Sequence, residues 1–295
     1  MSEKIALIGA GAMGGAIGTR FLETGNSLKV FDLDPRKVAT LVSKGGMAAE
    51  SAADAGRNVD FVITSLNSAK IVELAAFGEN GIAEGAAPGT LIIDMSSIDP
   101  GATRELAAKA RARDLAWVDS PLSGGAPKAL IGELTLMAGG TPEDVARAHI
   151  ALRHVALNYT HMGPSGAGQT TKLINQVLCG LGFLAVAEAT QLALDAGVDV
   201  EKIPQALRGG RADSVLLQEY LPRFATKDYH RTGRIDNMVK DLDAVNDLAR
   251  QTGTSMPMTA LCGEIHRMLT AAGLGGEDQA VVMEFFKGAK EEIVA

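Results

Sequence analysis

Cysteine is nearly absent from this chain. The 295 residues contain only Cys179 and Cys262, which supply neither a disulfide framework nor a zinc-ligand spacing. Histidine is sparse too: His149, His154, His161, His230 and His266 are scattered with no close ligand pair, so no metal site is expected. Basic residues do not outnumber acidic ones. Lys and Arg total 28 against 35 Asp and Glu, a formal charge of −7 with a pI near 5.3, which disfavours DNA or RNA because phosphate binding needs a basic face. The longest unbroken apolar run, VLCGLGFLAVA at 177–187, is too short to cross a bilayer. The opening MSEKIALIG passes straight into a strand pattern without the n-region, h-region and cleavage site of a secretory signal. These absences predict a soluble, reduced, cytoplasmic protein that engages neither nucleic acid nor membrane.

What is present is an ordinary globular composition, 46% apolar and 21% charged, with aromatics at only 4% and abundant Ala and Gly that suit closely packed helices. The length favours two domains. In the first half, short β-rich runs alternate with helical ones. KIALIG (4–9), SLKVFD (27–32), VDFVITSL (59–66), TLIIDMSS (90–97), LAWVDS (115–120) and GELTLMAGG (132–140) read as strands. AMGGAIGTRFLETG and PGATRELAAKARARD, the latter with a proline near its start, read as helices. That alternation predicts an α/β doubly wound parallel sheet of Rossmann type over 1–163. Beyond it the strand signal stops. A long helix from Gly168 to about Ala196 is expected, followed by helical runs near 201–208, 213–225, 236–252, 257–273 and 277–290, so 164–295 reads as an all-α domain. An apolar stripe on the long helix has limited surface to cover it in its own chain, which predicts a homodimer or homotetramer.

The most specific local pattern is GAGAMGG, with Gly9, Gly11 and Gly14 in the G-x-G-x-x-G arrangement. It follows the first predicted strand and opens the first predicted helix, the context such a motif requires. There, Gly9, Ala10, Gly11, Ala12, Met13 and Gly14 bring backbone N–H groups up to a pyrophosphate at a helix N-terminus. Asp32 ends the second strand, 23 residues after Gly9, where a carboxylate accepts hydrogen bonds from a ribose hydroxyl pair. It would repel a 2′-phosphate, and no arginine follows directly, so NAD is favoured over NADP; Arg36 keeps the second cofactor open.

Three further segments are unusual for connectors. DMSSIDP (94–100) offers two hydroxyls at a strand's C-terminal end, where ligands of open α/β sheets bind. DSPLSGGAPKALIGELTLMAGG (119–140) presents Ser123, Gly124 and Gly125 on what reads as a flexible loop suited to holding a carboxylate. GPSGAGQTTKLINQ puts Lys172 and Asn175 on one face of a helix start. Taken alone, such a pair is more often solvated surface than active site.

The whole chain resembles the β-hydroxyacid dehydrogenase family, which includes 3-hydroxyisobutyrate dehydrogenases and tartronate semialdehyde reductases and is related to 6-phosphogluconate dehydrogenase. G-x-G-x-M-G, D-x-S-S-x-x-P, D-x-P-x-S-G-G, G-x-G-x-x-x-K-x-x-N and a late Lys-Asp pair occur in that order. The resemblance implies that Lys172 is the catalytic acid and base and that Ser123, Gly124 and Asn175 hold the substrate's carboxylate and hydroxyl. Ser97 would line the nicotinamide, with Leu66 and Asn67 also beside the cofactor. Lys240 would reach the cofactor and substrate pocket, with Asp241 supporting it. Two positions depart from the family's usual pattern: Gln176 stands where a second asparagine is common, and Leu122 where valine is. GRIDNMVKD (233–241) most resembles the tartronate semialdehyde reductase branch.

Elementary chemistry points the same way. A hydride leaving a secondary alcohol carbon requires the hydroxyl proton to leave as well, so a positioned base is needed. A lysine that is partly desolvated and close to another cation can have the lowered pKa this asks for. The alternatives are a reductase of another small aldehyde, of the succinic semialdehyde or glyoxylate type, an imine reductase on the same architecture, or a non-catalytic dinucleotide-binding module. Such a module should lose the lysine or the serine loop, and imine reductases typically replace the lysine. His161 and Arg211 are candidates for substrate contact, with a structural or solvated role the simpler reading of each.

Overall fold

The structure is a computed structural model that describes residues 3–286. Strand β1 (Lys4–Ile8) is apolar after its first residue, and Ile5 to Ile8 are almost wholly buried. Both faces of the sheet are covered, so neither side of the strand meets water. Ile5 and Leu7 pack into one core with Ile17, Phe21 and Leu41, while Ala6 and Ile8 join Val72, Leu106 and Trp117 in a second.

Strands β2 (Ser27–Phe31), β3 (Met47–Ala48), β4 (Phe61–Thr64), β5 (Leu91–Asp94) and β6 (Ala116–Asp119) run parallel to β1 in the order β3-β2-β1-β4-β5-β6. This is the doubly wound order expected, with its reversal between β1 and β4. β7 (Leu122–Ser123) and β8 (Leu134–Gly139) extend the sheet antiparallel, and β9 (Ala156–Gly163) pairs parallel with β8. The sequence reading omitted β3, β7 and β9. Two of them are two residues long, and β9 is exposed along most of its length, so none carries the apolar run by which a buried strand is recognised.

Helices α1 (Ala12–Glu23), α2 (Pro35–Val42), α3 (Ala52–Gly56), α4 (Ala69–Phe77), α5 (Ile82–Gly85), α6 (Pro100–Arg111), α7 (Gly125–Ile131) and α8 (Pro142–Leu152) fill the connections. Several start on side chains that accept an otherwise unpaired N–H: Asp34, Ser51, Ser68, Asp99 and Thr141 cap α2, α3, α4, α6 and α8. Proline follows the cap in α2, α6 and α8, where its missing N–H costs nothing.

Helix α9 (Ala167–Asp195) is 29 residues long, matching the long helix expected from about 168 to 196. The chain forms two compact units that divide within it, between Lys172 and Leu173. By length and composition α9 could cross a bilayer, with a mean hydropathy of 1.7 over its most apolar 18 residues; the longest unbroken apolar run understates it, because isolated polar residues interrupt the stretch. In the second unit, Phe183, Val186 and Ala187 of α9 pack with Leu217, Leu221, Phe224, Leu242 and Cys262. Helices α10 (Ile203–Leu207), α11 (Val215–Thr226), α12 (Ile235–Thr252) and α13 (Pro257–Leu269) match four of the runs expected. The run expected to 273 instead leaves α-helix after Leu269, through a wider turn in which Gly273 has φ 85°. The last run is a 3₁₀ turn, Gln279–Val282, leading into α14 (Met283–Phe286); its expected continuation to 290 lies outside the described residues.

One buried carboxylate ties this unit's chain end to its middle. Asp278 accepts from the backbone N–H of Thr232, Gly233 and Ala280 and pairs with Arg223 at 2.9 Å. Burial pushes its pKa up, but these backbone donors outweigh burial and hold it below the usual carboxylate range.

Candidate active site

The glycines of GAGAMGG are there for different reasons. Gly9 has φ 94°, and a Cβ there would lie 2.4 Å from the Ser65 carbonyl oxygen; one at Gly14 would lie 1.9 Å from the Gly9 carbonyl oxygen. Gly9 is demanded by close packing of the loop after β1 on the loop after β4, and Gly14 by the packing of α1 on the loop after β1. Gly11 is unlike them. Its backbone is extended, and a Cβ would meet no protein atom within 4 Å. Nothing in the protein forbids a side chain at Gly11, which fits a position kept clear for a ligand drawn close to the backbone. Gly11 also precedes the first turn of α1, where the N–H groups of Ala12, Met13 and Gly14 have no helical partners. The residues present therefore fit the pyrophosphate of a dinucleotide.

Asp32 lies just past β2, the strand beside β1. Its two oxygens accept from the backbone N–H of Ala10 at 2.7 Å and of Asp34 at 2.8 Å. The carboxylate is thereby aimed from β2 toward the glycine turn, with acceptor capacity left for ribose hydroxyls. Arg36 is turned away to a different partner. Its Nε and Nη2 form a bidentate pair with Asp34, both at 3.0 Å.

The C-terminal ends of β4, β5 and β6 are joined by a buried polar chain, which takes up Ser96, one of the two hydroxyls expected to face a ligand. Thr64 donates to Asp94 Oδ1 at 2.8 Å, and the Ser96 N–H donates to the same oxygen at 3.0 Å. Ser96 Oγ accepts from the Leu66 N–H at 3.0 Å, which fixes the turn carrying Leu66 and the exposed Asn67. Gln169, 1% exposed, donates to the Ser96 carbonyl at 2.7 Å and accepts from the Ile98 N–H at 3.2 Å. It thus holds the loop on both sides of the half-buried Ser97. Asp119, fully buried, accepts from the N–H of Gly166 at 2.8 Å and of Gln169 at 3.0 Å, which pins the start of α9 to the end of β6. Lys172 follows one turn later and is half-buried. For Asp94 and Asp119 a sequence signal existed: each closes an apolar strand with an acid. Gln169 gave none, because a helix-start glutamine is ordinary.

Ser123 ends β7, and Gly124 and Gly125 follow at φ 121° and 69°. The flexible loop expected here is in fact a strand end turning directly into α7. A Cβ on Gly124 would come within 2.9 Å of the Lys128 Cβ, so the turn is closed as well as left-handed. The pairing of Ser123 with Thr135 of β8 fixes its backbone on the sheet.

In the second unit the remaining candidates form one chain. Asn175 donates to Gln176 Oε1 at 2.9 Å, Gln176 donates to Asp241 Oδ2 at 2.5 Å, and Asp241 Oδ1 lies 3.4 Å from Lys240 Nζ. Gln176, one methylene longer than asparagine, spans from α9 to α12. His161 Nε2 lies 3.0 Å from the Gly140 carbonyl and 2.9 Å from that of Gly163, a structural arrangement. Arg211 is exposed between α10 and α11.

A family model described as the NAD binding domain of 6-phosphogluconate dehydrogenase matches residues 4–163, and one described as NAD-binding of NADP-dependent 3-hydroxyisobutyrate dehydrogenase matches 166–286. L-Threonate dehydrogenase of Cupriavidus necator is 34% identical over 289 residues, covering 98% of this chain and 97% of its own. NAD-dependent L-serine dehydrogenase of Pseudomonas aeruginosa is 34% identical over 291 residues, covering 96% and 98%. Among solved structures, a 3-hydroxyisobutyrate dehydrogenase from Mycobacterium tuberculosis with L-serine superimposes at a TM-score of 0.88 and 27% identity, over 98% of this chain and 100% of that one.

Burial pushes the Asp94 carboxyl up to about 6, against hydrogen bonds from Ser96 and Thr64 that favour its charged form. The folded protein therefore holds a proton that the unfolded chain has lost, and this contribution disappears as pH rises through about 6. Each pH unit of the displacement is worth about 1.4 kcal/mol. Asp94→Asn cannot titrate, so between about pH 4 and 7 the stability gap should move by roughly 3 kcal/mol in the variant's favour. Urea unfolding across that range checks this; a constant gap contradicts it.

Proposed function

We propose, for a chain that belongs to the β-hydroxyacid dehydrogenase family and is an NAD(P)-dependent oxidoreductase of small hydroxy acids, that it interconverts a 3-hydroxy acid with its semialdehyde or keto acid, using Lys172 as the acid and base. The observation that carries this reading is the seat of Lys172. It stands in the second turn of a helix whose first turn is hydrogen-bonded to the C-terminal ends of β5 and β6 through Gln169 and Asp119, the end of the sheet at which the glycine turn also lies.

A nicotinamide held at the glycine turn would supply the hydride acceptor for the carbinol carbon. The Lys172 amine takes the hydroxyl proton in oxidation, and in reduction its ammonium returns a proton to the developing alkoxide. Ser123 and the N–H groups of Gly124 and Gly125 hold the substrate's carboxylate. Asn175 spends its amide donors on Gln176 and on Cys179 Sγ, the latter at 3.4 Å, which leaves its carbonyl to accept from the substrate hydroxyl. Lys240, paired with Asp241, supplies a second cation. The division of labour is a dinucleotide domain over 1–163 and a substrate and dimerisation domain over 164–295. Asp32 favours NAD, and the engagement of Arg36 by Asp34 supports that choice by drawing one cation away from a 2′-phosphate, while Lys37 Nζ stays 3.7 Å from Asp32 Oδ1. Exposed apolar side chains on α9 (Ile174, Leu178, Leu192) and α13 (Met258, Leu261, Met268) support a homodimer or homotetramer. Two unlinked thiols fit a reducing cytoplasm.

Lys172→Ala should lower turnover by about 10²- to 10⁴-fold with NAD affinity nearly intact, measured at the nicotinamide absorbance band with a panel of 3-hydroxy acids and semialdehydes. Retained full activity would refute the mechanism. The unmodified protein should prefer NAD, and Asp32→Ala should erode that preference; a native preference for NADP removes the role given to Asp32. Light scattering should return a dimer or tetramer, and a monomer at working concentration overturns the assembly.

A further inference from the structure

In the buried polar chain, the side chain of Gln169 seats the lysine helix, but these roles do not say what it does in the reaction. Its amide makes two directed bonds, donating to the Ser96 carbonyl at 2.7 Å and accepting from the Ile98 N–H at 3.2 Å, while its own backbone N–H is held by Asp119 at 3.0 Å. The two clamped residues flank Ser97, and Lys172 follows Gln169 by three positions on the same helix. One almost fully buried residue therefore belongs at once to the loop after β5 and to the helix turn that bears the lysine. A glutamine whose only task was to satisfy buried backbone groups could do so from any neighbouring element. Here it does so from the element that carries the proton acceptor.

We infer that Gln169 is a positioning residue that fixes the spacing between the Ser97 loop and Lys172, so that hydride and proton leave one substrate in register. The inference rests on the reading of Lys172 as the acid and base. In oxidation the carbinol C–H pair goes to the nicotinamide ring as hydride and the O–H proton goes to the Lys172 amine, leaving a carbonyl. Both departures must be aligned together, and misplacement of a reacting group by about 1 Å costs about 10²-fold in rate. The methionine side chain has nearly the volume of glutamine but can make neither bond. Protonated glutamic acid reproduces both, with one O–H donor and one carbonyl acceptor, and its ionised form loses the donor to Ser96.

The test uses the full chain with Gln169→Met and Gln169→Glu. Gln169→Met should lower kcat by about 10- to 100-fold, with the Kd for NADH, titrated by its fluorescence, within about threefold of wild type. Amide hydrogen exchange at Ile98 in the protein without cofactor should become faster, reporting release of the loop independently of turnover. The ratio of Gln169→Glu to wild-type kcat should rise as pH falls from about 8 to about 6, while the ratio for Gln169→Met stays flat. The pH dependence of Gln169→Glu carries the test if the methionine variant fails to fold. A Gln169→Met kcat within about twofold of wild type, or a pH-independent Gln169→Glu ratio, overturns the inference and leaves the role of Lys172 standing. A wild type without turnover, or a fully active Lys172→Ala, removes the reading beneath both.

Discussion

The seat of Asp119 against the start of α9 is the constraint on which the site depends. A carboxylate at a helix N-terminus meets unpaired N–H groups and the positive end of the helix dipole, and charge-assisted bonds of this kind are stronger than neutral ones. Here the carboxylate is fully buried, and burial raises its pKa against the backbone donors, Gly166 and Gln169 first among them. Its surroundings leave it no freedom. A Cβ on Gly139 would stand 2.5 Å from Oδ1, and one on Gly168 would stand 2.7 Å from Oδ2 and 2.4 Å from the Met137 carbonyl oxygen. Two glycines, one on β8 and one in the helix, are the condition for the helix to approach the sheet this closely. The seat in turn sets where the second turn of α9, and Lys172 with it, leaves the sheet.

From that seat the polar chain runs sideways through Gln169, Ser96, Asp94 and Thr64 across three neighbouring strand ends. Buried polar groups are costly when unpaired and rigid when paired. This chain therefore makes the C-terminal edge of the sheet a fixed platform at the place where open α/β sheets bind ligands. The glycine turn belongs to the same edge: Gly9 packs on Ser65, and the next residue, Leu66, is bonded to Ser96. Cofactor cradle, Ser97 loop and lysine helix are thus linked by one close backbone contact and a run of hydrogen bonds within a single unit.

Much of this was legible before any coordinates. Strands buried on both faces write themselves as apolar runs, which is why β1, β4, β5 and β6 are readable; β2 and β8 are interrupted by Lys29 and Thr135 but stay apolar on either side, and the exposed β9 does not read as a strand. A proline near its start marks the helix of PGATRELAAKARARD, and a 29-residue helix without a proline announces itself. Gly9, Gly14 and Asp32 were readable because their spacing is dictated by one local strand-turn-helix unit. The Ser123 turn is not flexible as its sequence suggests, because two glycines in succession look mobile until a strand pairing and a close neighbour hold them.

The sequence by itself determined the periodicities, the turns and the kinds of chemical group at each strand end, because these follow from contacts between residues near in the chain. Only the tertiary structure decided which of those groups meet. Asp119 reaches Gly166 and Gln169 across 47 and 50 residues, and Gln169 reaches Ser96 across 73. Such pairings leave no trace in local patterning, since a buried carboxylate and an exposed one are the same letter until the sheet closes over them. The packing likewise separated Gly9 and Gly14, fixed by neighbouring backbone, from Gly11, where the protein itself imposes nothing.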